Sequence, residues 1–297
     1  MSDATGLGRP VAGVMWMLVT GLAFVAVSGI VKYVGTDIPA PQAAFLRFAF
    51  GVVFLAPALW AMRGVRFPAP TWRLFWLRGA MHVAAVFFWF WAVVRVPVAE
   101  MTAIGFLGPV VMVVMAAVLL GETLERGRVV AVLAALVGAL IVLRPGLREI
   151  TPGHIAQIAA TLCFAASYLC AKRLSGLAPA SVVVAMLSVT VAAWLLPLAL
   201  WVWVPVSWAQ LGWLAAVAAL GTLGHYTMTR AFQAAPLTVT QPVVFVQILW
   251  ASLMGALFFA EPVDHFVILG GAVIVAAVTL TAWADARRDR VALQTEA

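Results

Sequence analysis

The sequence predicts an all-α integral membrane protein of ten transmembrane helices, arranged as two five-helix repeats of opposite orientation. Three observations lead to this prediction. First, 65% of the 297 residues are hydrophobic and only 10% are charged, whereas a soluble domain carries about 25% charged residues. Second, apolar runs long enough to cross a bilayer recur between short polar breaks. Third, the second half of the chain repeats features of the first half at a nearly constant offset.

The apolar runs are separated by turn-forming stretches such as GTDIPAP, RGVRFPAP, GETLERGR and QAAPLT, in which proline, glycine and charged residues interrupt the helical pattern. In chain order, the predicted segments span residues 11–34, 40–62, 72–95, 98–120, 128–144, 153–172, 179–204, 208–231, 237–259 and 266–284. Segments five and ten are almost purely aliphatic, and they are expected at the periphery of the bundle.

The basic residues predict the orientation of these segments. If the N-terminus lies in the cytoplasm, 13 of the 18 basic residues fall at cytoplasmic helix ends and 4 at outer ends, and Arg47 lies within the second segment. Cytoplasmic loops of membrane proteins carry such an excess of lysine and arginine. Both termini are therefore expected in the cytoplasm, and the net charge of +7 does not indicate a nucleic-acid partner.

The repeat is visible as aligned residues. Segments one and six align at an offset of 140, which pairs Phe24 with Phe164, and segments four and nine align at 139, which pairs Glu122 with Glu261. Because five is an odd number of helices, the second copy enters the membrane from the opposite side, as in inverted-topology transporters. We expect one membrane domain, made of a first repeat and an inverted second repeat. The two repeats are residues 1–148 and 149–297.

The paired glutamates admit two explanations. Glu122 ends a helix at the predicted cytoplasmic face and Glu261 ends its counterpart at the outer face. A carboxylate there stabilises the N-terminus of the helix that follows, and ion coupling at the membrane boundary is the alternative. No carboxylate falls in the middle of a predicted segment, which argues against tight proton or sodium coupling.

Two histidines lie well inside predicted segments. His82 is in the third segment, and His225 is in the eighth, where it aligns with Val86, one helical turn from His82 on the same face. A polar group in lipid is costly, so both imidazoles should face the interior of the bundle. Either a buried interhelical hydrogen bond or a place along a substrate path explains them.

Polar and aromatic residues of the same helices complete a candidate site, which we expect to border a central cavity suited to small amphipathic molecules. A phosphate would require more deep cations than Arg47 supplies. The expected substrate-binding residues are His82, His225, Tyr168, Gln241, Gln247, Thr102, Phe24, Phe106, Phe164, Tyr226, Phe245 and Trp250.

These features resemble the drug/metabolite transporter superfamily, specifically its ten-helix EamA-type exporters. The resemblance is carried by the duplicated helix plan, the Arg47-Phe48 pair, LLGE at Leu119 to Glu122, and PGLREITPGH between the halves. Within the superfamily the chain looks most like amino-acid exporters of the YddG kind. The second copy departs from the pattern, because FFAEP replaces LLGET and Ala185 stands in the place of Arg47.

The resemblance implies a secondary transporter that exports neutral or zwitterionic metabolites, most of all amino acids, across the bacterial inner membrane. Alternating access through the cavity is the expected mechanism. The expected partners are the solute and the lipid bilayer, with no nucleic acid, obligate protein partner, cofactor or metal. A channel-like or receptor-like binding protein is the alternative, followed by an intramembrane enzyme, for which the chain lacks an HExxH pair, paired embedded aspartates and a GxSG-type serine.

Overall fold

A computed structural model describes residues 8–34, 37–105, 107–121, 126–143, 150–260, 265–266, 269–273 and 276–277, and the regular structure within these ranges is helical. The helices are α1 (Gly8–Val34), α2 (Ala40–Phe54), α3 (Ala56–Ala61), α4 (Ala69–Val93), α5 (Val98–Gly105), α6 (Leu107–Leu120), α7 (Arg126–Leu143), α8 (Pro152–Ser175), α9 (Ala180–Trp201), α10 (Trp208–Ala234), α11 (Leu237–Val244) and α12 (Gln247–Phe259).

Several of these helices are long and apolar enough to span a membrane. The four that meet both criteria are Pro10–Val34, Ala69–Val93, Pro152–Ser175 and Ala180–Trp201. Two shorter apolar helices are Ala40–Phe54 and Gln247–Phe259. The described residues are therefore those of an all-helical, multi-pass membrane protein.

The helices follow the predicted segments with shifts of a few residues at their ends. The second segment divides at Leu55, two residues before Pro57, into α2 and α3. The ninth divides after Val244 into α11 and α12. In the tenth segment only short helical stretches are described, so the count of ten helices stays a prediction.

Local sequence explains where several helices begin. Proline occupies the first or second position of α2, α4 and α8, where its missing N–H would be unpaired in any residue and its fixed φ favours the helix. At the start of α10, the Gln210 backbone N–H donates to the Ser207 hydroxyl at 3.2 Å, and the Gln210 side chain accepts from the Ser207 backbone. This reciprocal cap satisfies donors that a helix start leaves unpaired.

The main helix contacts join the two halves of the chain. Helix α1 packs along α10, α4 along α8, and α2 along α9, while α1 also contacts α11 and α12 as α8 contacts α5 and α6. By the sequence offset, α1 corresponds to α8, α4 to α10 and α2 to α9. Exchange of the halves therefore leaves this contact pattern unchanged, which is the arrangement expected for a two-fold repeat.

Small residues allow these helices to approach closely. A Cβ added at Gly79 on α4 would lie 2.5 Å from Thr190 Oγ1 on α9, and one added at Gly224 on α10 would lie 2.6 Å from the Phe24 ring on α1. Helices in lipid associate through such close packing, because lipid tails provide no hydrophobic force between them. The glycine at 224 also fixes the position of Phe24 beside the neighbouring His225.

Candidate substrate cavity

A cavity of about 190 Å³ lies between the two halves of the chain. Helices α1, α2, α4, α5 and α6 line it from the first half, and α8, α10, α11 and α12 line it from the second. Transporters with internal repeats place their substrate at such an interface between repeats. The cavity is therefore the candidate site.

The two membrane histidines meet at this cavity. The ring centroids of His82 on α4 and His225 on α10 are 5.0 Å apart with the planes inclined at 69°, and the side chains are 1% and 3% exposed. Both turn toward the bundle interior rather than toward lipid.

Each histidine contacts a phenylalanine from the opposite half. His225 lies 5.0 Å from Phe24, and His82 lies 5.1 Å from Phe164, both edge to face. Phe24 and Phe164 are the residues that the 140-residue offset aligns. The Phe164 ring also stacks on Tyr168 at 5.6 Å and 15°. The cavity thus has two related ring–imidazole pairs, with the stacked tyrosine on one side.

A hydrogen-bonded chain positions His82. Its Nδ1 lies 3.1 Å from the Ser167 hydroxyl, which donates to the Arg78 carbonyl at 3.4 Å. Since the hydroxyl donates to that carbonyl, it accepts from Nδ1–H, and Nε2 becomes the acceptor nitrogen of a neutral ring. The Arg78 side chain itself is fully buried, and its Nη1 donates to the Val183 carbonyl at 2.9 Å. This network ties α4 to α8 and α9 beneath the cavity.

Three lining side chains carry buried atoms without a hydrogen-bond partner among the described residues. These atoms are Gln157 Oε1, His225 Nδ1 and Arg47 Nε. The Gln157 amide nitrogen donates weakly to the Met101 carbonyl at 3.3 Å, which leaves its oxygen toward the cavity. An unpaired buried polar group costs about 1–3 kcal/mol, so a polar group of a solute would be stabilised here.

A cation also lines the cavity. Arg47 on α2 is 7% exposed, its guanidinium lies 4.2 Å from the centroid of the Phe48 ring, and its Nε has no hydrogen-bond partner among the described residues. A Cβ added at Gly221 on α10 would collide with this guanidinium. The glycine therefore makes the space in which the arginine lies.

Seven of the twelve expected binding residues line the cavity. They are Phe24, His82, Phe164, Tyr168, His225, Gln241 and Gln247. Phe106 and the side chain of Thr102 lie outside the described residues.

The other three expected residues lie elsewhere. Phe245 is fully buried in the core, and Trp250 on α12 is 39% exposed. Tyr226 follows His225 directly, so its side chain is rotated from that of His225 by about 100°, the angle per residue of a helix with 3.6 residues per turn. None of the three is in the described lining. Their aromatic character does not reveal which face of an apolar helix points inward, so the expectation that they wall the cavity is corrected.

Sequence reasoning missed several lining residues. Arg47 lies within a predicted segment but is absent from the expected binding residues, although a charge inside a transmembrane segment is itself a signal of function. Gln157, Thr161 and Ser28 also line the cavity, and an amide within an apolar segment gives the same signal more weakly. A further missed group consists of methionines, which adapt to the shape of a ligand and gave no signal in the sequence. Its members are Met17, Met101, Met112 and Met228.

Polar contacts join the halves at the predicted outer face. The Gln42 side chain donates to the Val204 carbonyl at 2.7 Å and accepts from the Val204 N–H at 2.9 Å. His154 Nε2 lies 3.1 Å from Glu100 Oε2. At the opposite end, an Arg173 nitrogen donates to the Leu119 carbonyl. These contacts join the two halves toward each end of the bundle.

Comparison with known proteins agrees with this architecture. The EamA-like transporter family matches residues 11–144 and again residues 151–283. The chain belongs to the EamA-like transporter family. The resemblance to the drug/metabolite transporter superfamily is thereby confirmed, and the family is one of transporters.

Named relatives in this family span almost the whole chain. A riboflavin transporter of Vibrio cholerae is 28% identical over 95% of this chain and 97% of its own length. A pseudopaline exporter of Pseudomonas aeruginosa is 23% identical over 90% and 94%. An S-adenosylmethionine uptake transporter of Rickettsia prowazekii is 23% identical over 96% of each chain. These family members are bacterial, as expected for a protein of the inner membrane.

A solved crystal structure shares the fold of this chain. The two have a TM-score of 0.69 and are 21% identical, and the match covers 93% of this chain and 98% of the other. The named relatives carry different solutes, and none of these names is that of an amino-acid exporter. Family membership therefore establishes a small-molecule transporter, and the amino-acid expectation has no support from these relatives.

Proposed function

We propose that the protein is a secondary transporter that moves small neutral or zwitterionic metabolites of about amino-acid size through the cavity by alternating access. The observation that carries the proposal is the cavity itself, which lies between the halves and contains two histidine–phenylalanine pairs, each of which joins one half to the other. Rocking of one half against the other would expose such a site to each side of the membrane in turn.

The lining favours a solute with an apolar or aromatic part. Aromatic rings prefer the edge-to-face and offset geometries that the ring–imidazole pairs offer. The volume of about 190 Å³ is below the about 300–1,000 Å³ of pockets for drug-sized ligands. Amino acids and similar metabolites suit this volume, and riboflavin would require the cavity to widen.

The contacts at the outer face provide a gate in this mechanism. Opening toward the outside requires the Gln42–Val204 and Glu100–His154 contacts to separate, while opening toward the cytoplasm requires the Arg173 contact with Leu119 to separate. Hydrogen bonds of this kind contribute about 0.5–1.5 kcal/mol each, which is small enough for both states to be populated. Alternating access operates in both directions, and the relatives include uptake transporters and an exporter.

Counterflow in liposomes tests the proposal. Liposomes that hold the purified protein are loaded with one unlabelled solute, and entry of the same labelled solute is followed, for a panel of amino acids and for riboflavin. A carrier saturates and shows transient accumulation driven by the internal solute, whereas a channel passes solute without saturating. Protein-free liposomes are the control. Entry that rises linearly with concentration, without accumulation, would contradict the carrier mechanism.

A further inference from the structure

Among the described residues, the interior of the helix bundle contains positive charge without a matching negative charge. Arg47 and Arg78 are both buried, and an arginine side chain stays protonated in proteins. None of the 11 acidic residues lies in the middle of a predicted transmembrane segment. Glu100, near the start of the fourth segment, interacts with His154 at the outer face. A buried cation is normally paired or hydrogen-bonded, because desolvation is otherwise costly.

The two arginines differ in their relation to the cavity. Arg78 does not line it: its Nη1 is bonded to the Val183 carbonyl, and its Nε and Nη2 have no hydrogen-bond partner among the described residues. Arg47 does line it, about 10 Å along α2 from its first residue at 1.5 Å per residue. The Arg47 guanidinium contacts the Phe48 ring and occupies the space left by the missing side chain of Gly221. No acidic side chain among the described residues pairs with it. One guanidinium is therefore held in place at the cavity wall and available to a solute.

We propose that Arg47 binds a carboxylate of the transported solute and selects carboxylates over the corresponding amides and amines. This inference rests on the proposed function, in which the solute occupies the cavity. A guanidinium presents paired N–H donors that match a carboxylate, and such charge-assisted hydrogen bonds are about twice as strong as neutral ones. A single guanidinium matches a monoanion, whereas a phosphate dianion would leave charge unpaired.

The remaining polar atoms define what else the solute carries. Gln157 Oε1 and His225 Nδ1 are unpaired at the same cavity. The amide oxygen accepts hydrogen bonds, so it accommodates an N–H or O–H of the solute. Neither group neutralises a positive charge as a carboxylate would, and the buried guanidinium groups repel cations. Zwitterions and monoanions are therefore favoured, and solutes with net positive charge are disfavoured.

A set of probes with one ring and varied charge tests this inference. The probes are phenylalanine, 3-phenylpropanoate, 3-phenylpropanamide and phenethylamine, which differ in whether a carboxylate and an ammonium are present. Binding to the purified full chain in detergent is measured by the ligand-dependent rise in unfolding temperature. We expect the two carboxylates to bind at least about tenfold more tightly than the amide and the amine, as expected for charge-assisted hydrogen bonds.

Variants assign this preference to Arg47. In Arg47→Gln, we expect the affinities of 3-phenylpropanoate and 3-phenylpropanamide to become equal within about twofold. Arg47→Lys should retain part of the preference, since an ammonium keeps the charge but lacks the paired N–H donors of a guanidinium. The matched control is Arg95→Gln, because Arg95 also stacks on a ring, that of Trp91 at 4.2 Å, but is exposed at the end of α4, outside the lining. This control should keep the preference of the wild type.

The outcomes separate this inference from the proposed function. Equal binding of 3-phenylpropanoate and 3-phenylpropanamide to the wild type would overturn the carboxylate proposal but not the proposed transport function. This comparison does not depend on the folding of a variant. A preference that survives in folded Arg47→Gln would overturn the role of Arg47. If none of the four probes binds, the proposed substrate class is wrong, and the inference that depends on it is overturned with it.

Discussion

At the scale of single residues, the two histidines are the clearest case of sequence duplication producing a site. Each imidazole contacts the phenylalanine of the opposite half, and those phenylalanines, Phe24 and Phe164, occupy corresponding positions in the two copies. The histidines themselves do not align, because His225 corresponds to Val86, which lies one helical turn after His82. The repeat is therefore similar in its packing, and it differs in the polar groups that face the solute.

Replacement of His82 by alanine should weaken the apparent affinity for solute about fivefold or change the choice of solute, because loss of one polar contact costs about 1 kcal/mol. The protein should still insert and fold, since Ser167 retains its bond to the Arg78 carbonyl. Counterflow at a series of solute concentrations measures the change. His265→Ala, at an exposed position, is the matched control. Unchanged affinity and selectivity for every transported solute would refute the placement of His82 in the site.

At the scale of elements, helix packing depends on a few positions without side chains. Gly79 brings α4 against Thr190 of α9, and this contact lies beside Arg78, whose Nη1 binds the Val183 carbonyl of the same helix. The close approach of α4 to α9 at Gly79 thus lies next to the residue that forms the hydrogen bond between the same two helices. The positions of α4 and α9 in turn set the location of His82 at the cavity.

Gly79→Ala should destabilise the protein by about 1–3 kcal/mol, the usual cost of overpacking, because the added Cβ would lie 2.5 Å from Thr190 Oγ1. Gly212→Ala on α10 is the matched control, since a Cβ there meets nothing within 4 Å and alanine favours a helix by up to about 1 kcal/mol over glycine. Unfolding temperatures in detergent report both effects. A Gly79→Ala protein as stable as the control variant would contradict the close packing of α4 and α9.

At the scale of the whole molecule, the described helices of the two halves pack against each other around the cavity. Every main contact of α1, α2 and α4 is with a helix of the other half, so the packing of these helices depends on both halves. Such an arrangement suits rocking about a shared interface. The predicted five-helix repeats would place the halves in the membrane with opposite orientations, since five is an odd number of helices.

The predicted topology is testable by labelling of single cysteines. The basic-residue asymmetry of 13 to 4 leads us to expect that cytoplasmic ends carry the excess of positive charge. The positions expected in the cytoplasm are Ser2, Val65 and Ala297, and those expected outside are Asp37, Glu149 and Asp264. In a background without Cys163 and Cys170, an impermeant reagent applied to intact spheroplasts should label only the outer group. Equal labelling at Val65 and Glu149 would end the inverted-repeat interpretation.

Transport should proceed without an imposed ion gradient. No acidic residue lies in the middle of a predicted transmembrane segment, and a proton- or sodium-driven carrier commonly keeps a carboxylate there. Liposomes with equal pH on both sides and no sodium should therefore still exchange labelled solute. An absolute requirement for a proton or sodium gradient would contradict this expectation and would direct attention to Glu100 and the membrane histidines.

What the sequence by itself determined is the approximate position of the described helices, because the thickness of the bilayer sets the length of each apolar run and proline, glycine and charged residues mark its ends. The pairing of Phe24 with Phe164 and the inward position of both histidines also followed from the sequence, since the repeat and the cost of burial in lipid are readable along the chain. These predictions depend on local composition and on one constant offset.

The tertiary structure decided which residues face the cavity. Trp250 and Phe245 are as aromatic as Phe164, yet Trp250 is partly exposed and Phe245 packs in the core, because an apolar helix in lipid has no polar face to indicate its inward side. Arg47 and Gln157 reach the cavity only because α2 and α8 pack against partners distant in sequence, with Gly221 making room for the guanidinium. The orientation of a side chain depends on those neighbours, and no local pattern encodes them.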